Sequence, residues 1–221
     1  MTEELWAAVD DYLTERLIEP DEALEAALSS STAAGLPAIQ VSAIQGKLLH
    51  LLARMTGARH VLEIGTLGGY STIWLGRALG PSGRLVSLEV NPTHAEVARK
   101  NLERAGLSEV VEIRVGRAIE TLPGLAAERR EPFDLVFIDA DKPSNLAYFE
   151  WAMRLSRSGS VIVVDNVVRN GGVADPSNSD PDVVGVRRLL DALHDDKRVE
   201  AAAIQTVGAK SYDGFAVVLV S

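Results

Sequence analysis

From residue 58 onward, short apolar runs alternate with stretches of helical periodicity, and this alternation restricts the fold more than any other feature. Runs that are apolar at nearly every position suit strands buried on both faces, as in parallel sheets. Strands that alternate with helices predict a doubly wound α/β sheet. The five runs are Val61 to Ile64, Leu85 to Leu88, Val110 to Val115, Leu135 to Ile138 and Val161 to Val164. Helices are predicted over 70–79, 92–105, 144–155 and 182–195.

Two further apolar runs close the chain, Val199 to Gln205 and Phe215 to Val220. The segment that joins them, Gly208 to Gly214, is too short for a crossover helix, so it favours an antiparallel hairpin. The expected fold class is therefore α/β, with a doubly wound, mostly parallel sheet of seven strands that ends in an antiparallel hairpin.

The residues before the first strand are predicted to be helical. Apolar residues recur there at helical spacing, and Pro20 begins a second helix. Ser42 to Gln45 form a capping box that opens a third helix, which Gly57 closes. A chain of 221 residues is within the range of one domain. We expect a single domain over 1–221, with 1–57 as an N-terminal helical cap.

The chain is acidic and contains no cysteine, and both facts limit its function. Lys and Arg number 22 and Asp and Glu 31, which gives a formal net charge of −9. An acidic chain repels phosphate backbones, so we expect no nucleic-acid partner. The absence of cysteine excludes disulfides, thiolate metal sites and cysteine nucleophiles. No apolar run reaches the roughly 18 residues that span a bilayer, and the N-terminus is acidic, so we expect no membrane partner and a cytoplasmic location.

Glycine or polar residues follow all five predicted parallel strands, at the same edge of the sheet. In doubly wound sheets, ligands bind beyond the carboxyl ends of the strands. In the order of the chain, the residues at this edge are Gly65 to Ser71, Glu89, Gly116 to Ala118, Asp139 to Lys142, and Asp165 with Asn166. Chance would scatter such residues over both edges, so we expect the functional site here.

The first of these segments reads E-x-G-x-x-G-G from Glu63 to Gly69. Glycines at a strand-to-helix turn let a ligand approach the backbone, although turn geometry alone would also explain them. Leu67 breaks the dinucleotide pattern G-x-G-x-x-G. Glu89 follows Gly65 by 24 residues (89 − 65), close to the ~20 expected of a carboxylate that binds a ribose. Together these residues indicate an adenosine-containing cofactor, and Glu63 favours a cationic one.

Asp139, Asp141, Asp165 and Asn166 form a second group at the strand ends. Carboxylate and amide oxygens suit Mg²⁺, Mn²⁺ or Ca²⁺. The alternative is that these side chains only cap the helices that follow them. Lys142 could be a general base, a salt-bridge partner of these acids or a solvated charge, and the residues alone leave the three roles open.

Three segments together resemble one enzyme family. Val61 to Ser71 is similar to the first motif of class I S-adenosylmethionine-dependent methyltransferases, which have a Rossmann-like sheet. Phe137 to Lys142 is similar to the acidic motif of the metal-dependent O-methyltransferases of the catechol and caffeoyl-CoA type. Asp165 and Asn166 match the metal-binding pair of the same family. The resemblance extends from about residue 36 to the end of the chain.

The resemblance implies a role for each matching residue. The residues implied to bind S-adenosylmethionine are Val41, Glu63, Gly65, Thr66, Ser71, Glu89, Ala118 and Asp141. Those implied to hold a divalent cation, usually Mg²⁺, are Asp139, Asp165 and Asn166. Lys142 and Asp139 would be catalytic, with Lys142 at the position of the general base in the catechol enzyme. Asp139 and Asn170 would contact the acceptor.

The activity that the resemblance implies is metal-dependent O-methylation of a catechol-like molecule or another vicinal diphenol, carried out by a homodimer. Two alternatives from other classes stay open at this point. One is an NAD-linked oxidoreductase on a similar sheet, which Leu67 in the glycine motif disfavours. The other is a cofactor-binding module without activity, which the intact set of Asp139, Lys142, Asp165 and Asn166 disfavours.

Overall fold

The protein folds into one seven-stranded sheet with helices on both faces. The computed structural model describes residues 2–128 and 131–221. The strands are β1 (His60–Ile64), β2 (Arg84–Glu89), β3 (Val111–Val115), β4 (Phe133–Ile138), β5 (Ser156–Asp165), β6 (Val199–Gly208) and β7 (Ser211–Val220). The helices are α1 (Glu3–Leu17), α2 (Glu22–Ala33), α3 (Ala43–Met55), α4 (Tyr70–Ala78), α5 (Pro92–Arg104), α6 (Ala118–Ala127), α7 (Asn145–Leu155) and α8 (Pro181–Asp195).

The strand order is β3-β2-β1-β4-β5-β7-β6. The first five strands are parallel, and β7 lies antiparallel between β5 and β6. The order changes direction at β1, because β2 and β3 lie on one side of it and β4 and β5 on the other. A crevice beyond the carboxyl end of β1 is therefore the expected ligand site. The predicted fold class, a mostly parallel seven-stranded sheet with a C-terminal antiparallel hairpin, is confirmed.

Each face of the sheet buries its own apolar core. Leu62 and Ile64 of β1 pack on the face that α6, α7 and α8 cover. Val61 packs on the opposite face, which α2 to α5 cover. Successive side chains of a strand point to opposite faces, so burial on both sides explains the nearly continuous apolar run. Glu63 interrupts that run as a fully buried carboxylate.

Helix α6 lies in a segment for which the sequence pattern predicts no helix. Pro123 within it lacks an N–H donor, and Gly124 has a low helix propensity, so the local signal is weak. Leu122 and Leu125 are nevertheless almost completely buried against the sheet. Burial of this face stabilises the helix despite its poor propensity.

The C-terminal hairpin is tighter than the predicted seven-residue link. Gly208 and Ser211 are paired at the end of the ladder, so the turn consists of residues 209–210 alone. Gly214 lies inside β7, where an added Cβ would come within 2.3 Å of the Ile204 backbone oxygen. The close approach of the neighbouring strand, and not a turn, therefore requires this glycine.

The predicted cap (1–57) and the predicted single domain (1–221) include residues 1, 129 and 130, which lie outside the described residues. The described part of the cap forms α1, α2 and α3. Helix α1 contacts α3 and β6, and Asp10 accepts a hydrogen bond from Ala209 N in the hairpin turn at 2.8 Å. The first helix is thus attached to the far end of the sheet. Across the two described ranges, no helix combines the length and apolar character needed to cross a bilayer.

Candidate active site

The carboxyl edge of the sheet brings four predicted acidic residues into one row. Glu89 ends β2, Glu63 lies near the end of β1, Asp139 directly follows β4 and Asp165 ends β5. Since β2, β1, β4 and β5 are consecutive in the sheet, the two glutamates occupy one half of the row and the two aspartates the other.

The turn after β1 requires its glycine for steric reasons. Gly65 has a φ of +102°, and an added Cβ would lie 2.0 Å from the Asp139 backbone oxygen. Any larger residue would push the end of β1 away from the segment after β4, at the centre of the site. Leu67, two residues on, also has a positive φ of +51°, which few residues other than glycine adopt. The loop therefore needs contacts that hold it in this conformation.

Glu89 supplies those contacts. Its Oε2 accepts hydrogen bonds from Thr66 N at 3.2 Å and Leu67 N at 2.8 Å. Its Oε1 accepts a hydrogen bond from Asn91 N at 2.9 Å and lies 3.7 Å from His94 Nδ1. The same carboxylate lines a cavity beside the loop. One side chain thus shapes the glycine turn and faces the space that a ligand would fill.

This cavity has a volume of about 580 Å³, which is typical of small-molecule sites. The predicted cofactor-binding residues that line it are Val41, Gly65, Thr66, Ser71, Glu89, Ala118 and Asp141. Asp139, Lys142 and Asn166 line it as well. We call it the cofactor cavity. Glu63 does not line it.

Glu63 lies behind the wall of the cofactor cavity and is completely buried. Its Oε1 accepts a hydrogen bond from Ser71 Oγ at 2.6 Å, and its Oε2 accepts bonds from Thr72 Oγ1 at 2.5 Å and Ser87 Oγ at 2.6 Å. Burial raises the pKa of Glu63 to about 7, although the three hydroxyls oppose this shift. Glu63 is connected to the cavity through Ser71, which bonds to it directly and lines the cavity.

Lys142 and the two aspartates form a charged group at the other half of the edge. Lys142 Nζ donates a hydrogen bond to Asp139 Oδ1 at 2.9 Å, and only 5% of Lys142 is exposed. Of the three roles left open for this lysine, a solvated charge is therefore excluded. Burial, followed by the nearby carboxylate of Asp139, raises the pKa of Asp165 to about 7, while Lys142 opposes the shift.

The donor chemistry of this group fits a divalent cation. Asp139 and Asp165 each use Oδ1 in a hydrogen bond, with Lys142 Nζ and Asn166 N respectively. Their Oδ2 atoms and the Asn166 side-chain amide make no hydrogen bond within the described residues. Added positive charge is favourable beside Asp165, because the neighbouring carboxylate of Asp139 disfavours its ionisation. No cluster of three or more His, Cys, Asp or Glu side chains suited to a metal occurs in 2–128 or 131–221, so a cation would also depend on the Asn166 amide.

A second cavity, of about 660 Å³, adjoins the cofactor cavity. The residues that line both are Ile39, Gln40, Val41, Asn166 and Arg169. Asp165 and Asn170, which do not line the cofactor cavity, line this one. Asp139 therefore faces the first space, Asp165 the second, and Asn166 both. The arrangement offers one space for a cofactor and one for an acceptor, with the acidic residues where the two meet.

Sequence reasoning missed the two residues that hold Asp141. Tyr148 OH donates to Asp141 Oδ1 at 2.5 Å, and Ser144 Oγ donates to Oδ2. Burial and the carboxylate of Asp141 raise the pKa of Tyr148 to about 12. Arg169, which lines both cavities and donates to Asp182 Oδ2 at 2.7 Å, was also missed. A tyrosine in a helix and an arginine in a loop carry no signal of function in a single sequence.

The strand order, the glycine turn and the cavity at the carboxyl edge define a class I methyltransferase. A family model described as O-methyltransferase matches residues 16–218, and the chain belongs to that family. The chain is 58% identical to the catechol O-methyltransferase of Mycobacterium tuberculosis over 96% of this chain and 94% of that protein. It is 50% identical to the catechol O-methyltransferase of Niastella koreensis over 100% of both.

The solved structures agree with the sequence relatives. The O-methyltransferase from Bacillus cereus in complex with SAH (S-adenosylhomocysteine) superposes with a TM-score of 0.98 at 53% identity, over 100% of both chains. The predicted S-adenosylmethionine-dependent O-methyltransferase is thus confirmed, and the NAD-linked alternative is wrong. The roles of individual site residues, the metal and the homodimer stay predictions.

Proposed function

We propose that this O-methyltransferase transfers the methyl group of S-adenosylmethionine to one hydroxyl of a catechol-type molecule, assisted by a divalent cation. The observation that carries the proposal is the position of Asp139, Asp165 and Asn166 where the two cavities meet. The names of the two relatives, both catechol O-methyltransferases, support the class of acceptor. A vicinal diphenol presents two adjacent oxygens, which suits a site built from carboxylates around a cation.

In this proposal the cofactor fills the 580 Å³ cavity. Glu89 binds the ribose hydroxyls, because its carboxylate lines the cavity at the end of β2 while it holds the glycine turn. Asp141 also contacts the cofactor, in an orientation that Tyr148 and Ser144 fix. Ala118, at the start of α6, packs beside the adenine, where its small side chain leaves room.

The cation site would consist of Asp139, Asp165 and Asn166, with Mg²⁺ as the first choice and Mn²⁺ or Ca²⁺ as alternatives. When bound, the cation would favour the ionised form of a catechol hydroxyl and fix the orientation of the acceptor. Asp139 and Asp165 supply the negative charge, and the Asn166 amide oxygen supplies a neutral ligand. Asn170, in the second cavity, is placed to contact the acceptor.

Methyl transfer requires that the acceptor lose a proton. The new C–O bond forms as the C–S bond breaks, so the sulfonium becomes a thioether and the phenol becomes an ether. Lys142 Nζ, buried and 2.9 Å from Asp139 Oδ1, takes up the proton when its amine is neutral. Alignment of oxygen, methyl and sulfur by the two cavities can contribute roughly 7–11 kcal/mol of the barrier reduction.

We also infer a homodimer, as the family resemblance implies. No residue of α1 is fully buried, and four large apolar side chains on it are between 48% and 60% exposed: Leu5, Val9, Tyr12 and Leu17. This helix offers an apolar surface that a second copy could cover. Light scattering that gives a 23.7 kDa particle at micromolar concentration would contradict the dimer. The cytoplasmic location likewise stays a prediction.

A methyl-transfer assay on a panel of catechols and matched monophenols tests the proposed function. We expect methylation of the vicinal diphenols, its loss in EDTA and its recovery when Mg²⁺ is added back. Equal rates on monophenols would contradict the class of acceptor. Equal rates in EDTA would contradict the cation while leaving the O-methyltransferase activity in place.

A further inference from the structure

Ser87, in the middle of β2, is a fully buried hydroxyl for which neither the sequence motifs nor the proposed reaction supplies a role. It is in register with Glu63 on the neighbouring strand and donates a hydrogen bond to Glu63 Oε2 at 2.6 Å. Its Oγ also lies 2.6 Å from Thr66 Oγ1. Thr66 lines the cofactor cavity and Ser87 does not. Ser87 therefore links a buried carboxylate to the cavity wall.

The direction of each hydrogen bond follows from the number of protons. A hydroxyl has one proton to donate, and an ionised carboxylate only accepts. Because Ser87 gives its proton to Glu63, the bond between Thr66 and Ser87 must be donated by Thr66. Ser71 likewise gives its proton to Glu63 Oε1, at 2.6 Å. Thr66 and Ser71 are both among the residues that line the cavity, and with their protons committed, their hydroxyl oxygens can only accept a hydrogen bond from a ligand that reaches them.

We propose that Ser87 is a positioning residue, which orients the Thr66 hydroxyl to accept a hydrogen bond from the protonated amino group of the cofactor's methionine part. An ammonium group has donors and no acceptor, so it is complemented by the part of the wall formed by Thr66 and Ser71, whose hydroxyl protons are both donated to the buried groups behind them. The negative charge of Glu63 behind that wall adds an attraction for a cation. This inference rests on the proposed function, since it assigns a role in binding the same cofactor.

Thr72 offers a matched comparison. It is fully buried, as Ser87 is, and its Oγ1 donates to the same Oε2 of Glu63 at 2.5 Å. Within the described residues its side chain makes no hydrogen bond to a residue of the cavity wall. Thr72→Val therefore removes one donor from Glu63 and leaves Thr66 oriented, whereas Ser87→Ala removes one donor and releases the Thr66 hydroxyl.

Calorimetric binding of S-adenosylhomocysteine and of its deaminated analogue tests the proposal. The two ligands differ only in the amino group, and pH 8.5 keeps Glu63 ionised. Ser87→Ala should weaken binding of S-adenosylhomocysteine about tenfold and change that of the analogue by less than about twofold. Thr72→Val should change both affinities by less than about threefold. Thr66→Val should match Ser87→Ala, and the double variant should lose no more than either single one.

Three results would overturn the inference: equal losses for both ligands in Ser87→Ala, a loss in Thr72→Val as large as in Ser87→Ala, or fully additive losses in the double variant. If Ser87→Ala does not fold, Ser87→Cys carries the same test, because a thiol of similar size is a weak donor. Wild-type protein that binds neither ligand would overturn the proposed function instead.

Discussion

Lys142 and Asp139 are joined by a hydrogen bond of 2.9 Å from Nζ to Oδ1, beside the cofactor cavity. The backbone fixes this pair on both sides. Asp139 N donates to Ile64 O at 2.8 Å, which ties the aspartate to β1. An added Cβ at Gly185 would come within 2.2 Å of the Lys142 backbone oxygen, so α8 packs directly on the lysine. These contacts fix the backbone positions from which the Lys142 amine and the Asp139 carboxylate meet.

The two remaining roles for Lys142, proton acceptor and ion-pair partner, predict different results for Lys142→Arg. Arginine keeps the positive charge beside Asp139 but does not lose its proton in proteins. If Lys142 is the base, we expect Lys142→Arg and Lys142→Met both to lower kcat about a hundredfold or more, at an unchanged Kd for S-adenosylhomocysteine. An arginine variant that keeps most of the rate would assign Lys142 to the ion pair alone.

Asp165→Ala should abolish Mg²⁺-dependent turnover and leave the affinity for S-adenosylhomocysteine within about twofold of wild type. Asp165 lies in the second cavity, away from the glutamate half of the edge, and its loss removes one of the two carboxylates proposed to hold the cation. Rate against Mg²⁺ concentration and calorimetry measure the two effects. Asp180→Ala is the control, since Asp180 also lines the second cavity but caps α8. Full turnover of Asp165→Ala in EDTA would show that Asp165 does not bind a catalytic cation and has only a structural role.

Glu89→Ala should have the opposite effect to Asp165→Ala, because it should weaken cofactor binding more than it lowers turnover. The substitution removes the group proposed to bind the ribose and leaves Thr66 N and Leu67 N without their acceptor. We expect Kd for S-adenosylhomocysteine to rise tenfold or more, a loss of about 1.4–3 kcal/mol of binding free energy, with a smaller change in kcat at saturating cofactor. If Asp165→Ala loses cofactor affinity equally, the division of the edge into a cofactor half and a metal half is wrong.

Much of this edge follows from the sequence, because burial on both faces makes the parallel strands recognisable and places their carboxyl ends together. For Glu63, the sequence predicts the position in the strand but not the direction of the side chain. The E-x-G motif locates it at the strand end, but the pleat turns its side chain away from the cavity and into a cage of three hydroxyls. Two of those hydroxyls come from α4 and one from β2, and no pattern in the sequence records which side chains of different elements meet in the fold. Helix α6 was missed for the same reason, since burial of Leu122 and Leu125 decides its conformation.

Gly65→Ala should destabilise the protein far more than a glycine replacement at a similar backbone angle elsewhere. Both Gly65 and Gly106 have positive φ, but only Gly65 has an atom, Asp139 O, within 2.0 Å of an added Cβ. We expect roughly 1–2 kcal/mol for Gly106→Ala from backbone strain, and more than about 3 kcal/mol for Gly65→Ala. Urea denaturation of both variants measures the difference. Equal losses would show that the site relaxes around the extra methyl group.

Glu63 should make the free energy of unfolding of the cofactor-free protein fall as the pH rises. Its pKa is about 7 in the folded protein against 4.5 for an ordinary glutamate, so the folded state keeps a proton that the unfolded state releases. The stabilisation is complete below pH 4.5 and is lost as the pH passes 7, and it amounts to at most on the order of 3 kcal/mol.

Glu63→Gln cannot titrate and isolates this contribution from that of Asp165, whose pKa is raised to a similar value. In urea denaturation at pH 5 and pH 8, the wild type should lose stability relative to Glu63→Gln between the two pH values. S-adenosylhomocysteine should reduce that loss, because the ammonium group that we propose to bind in front of Glu63 would favour the ionised carboxylate. Parallel pH profiles for the two proteins would mean that Glu63 is already ionised in the folded state at pH 5, with the three hydroxyls outweighing its burial.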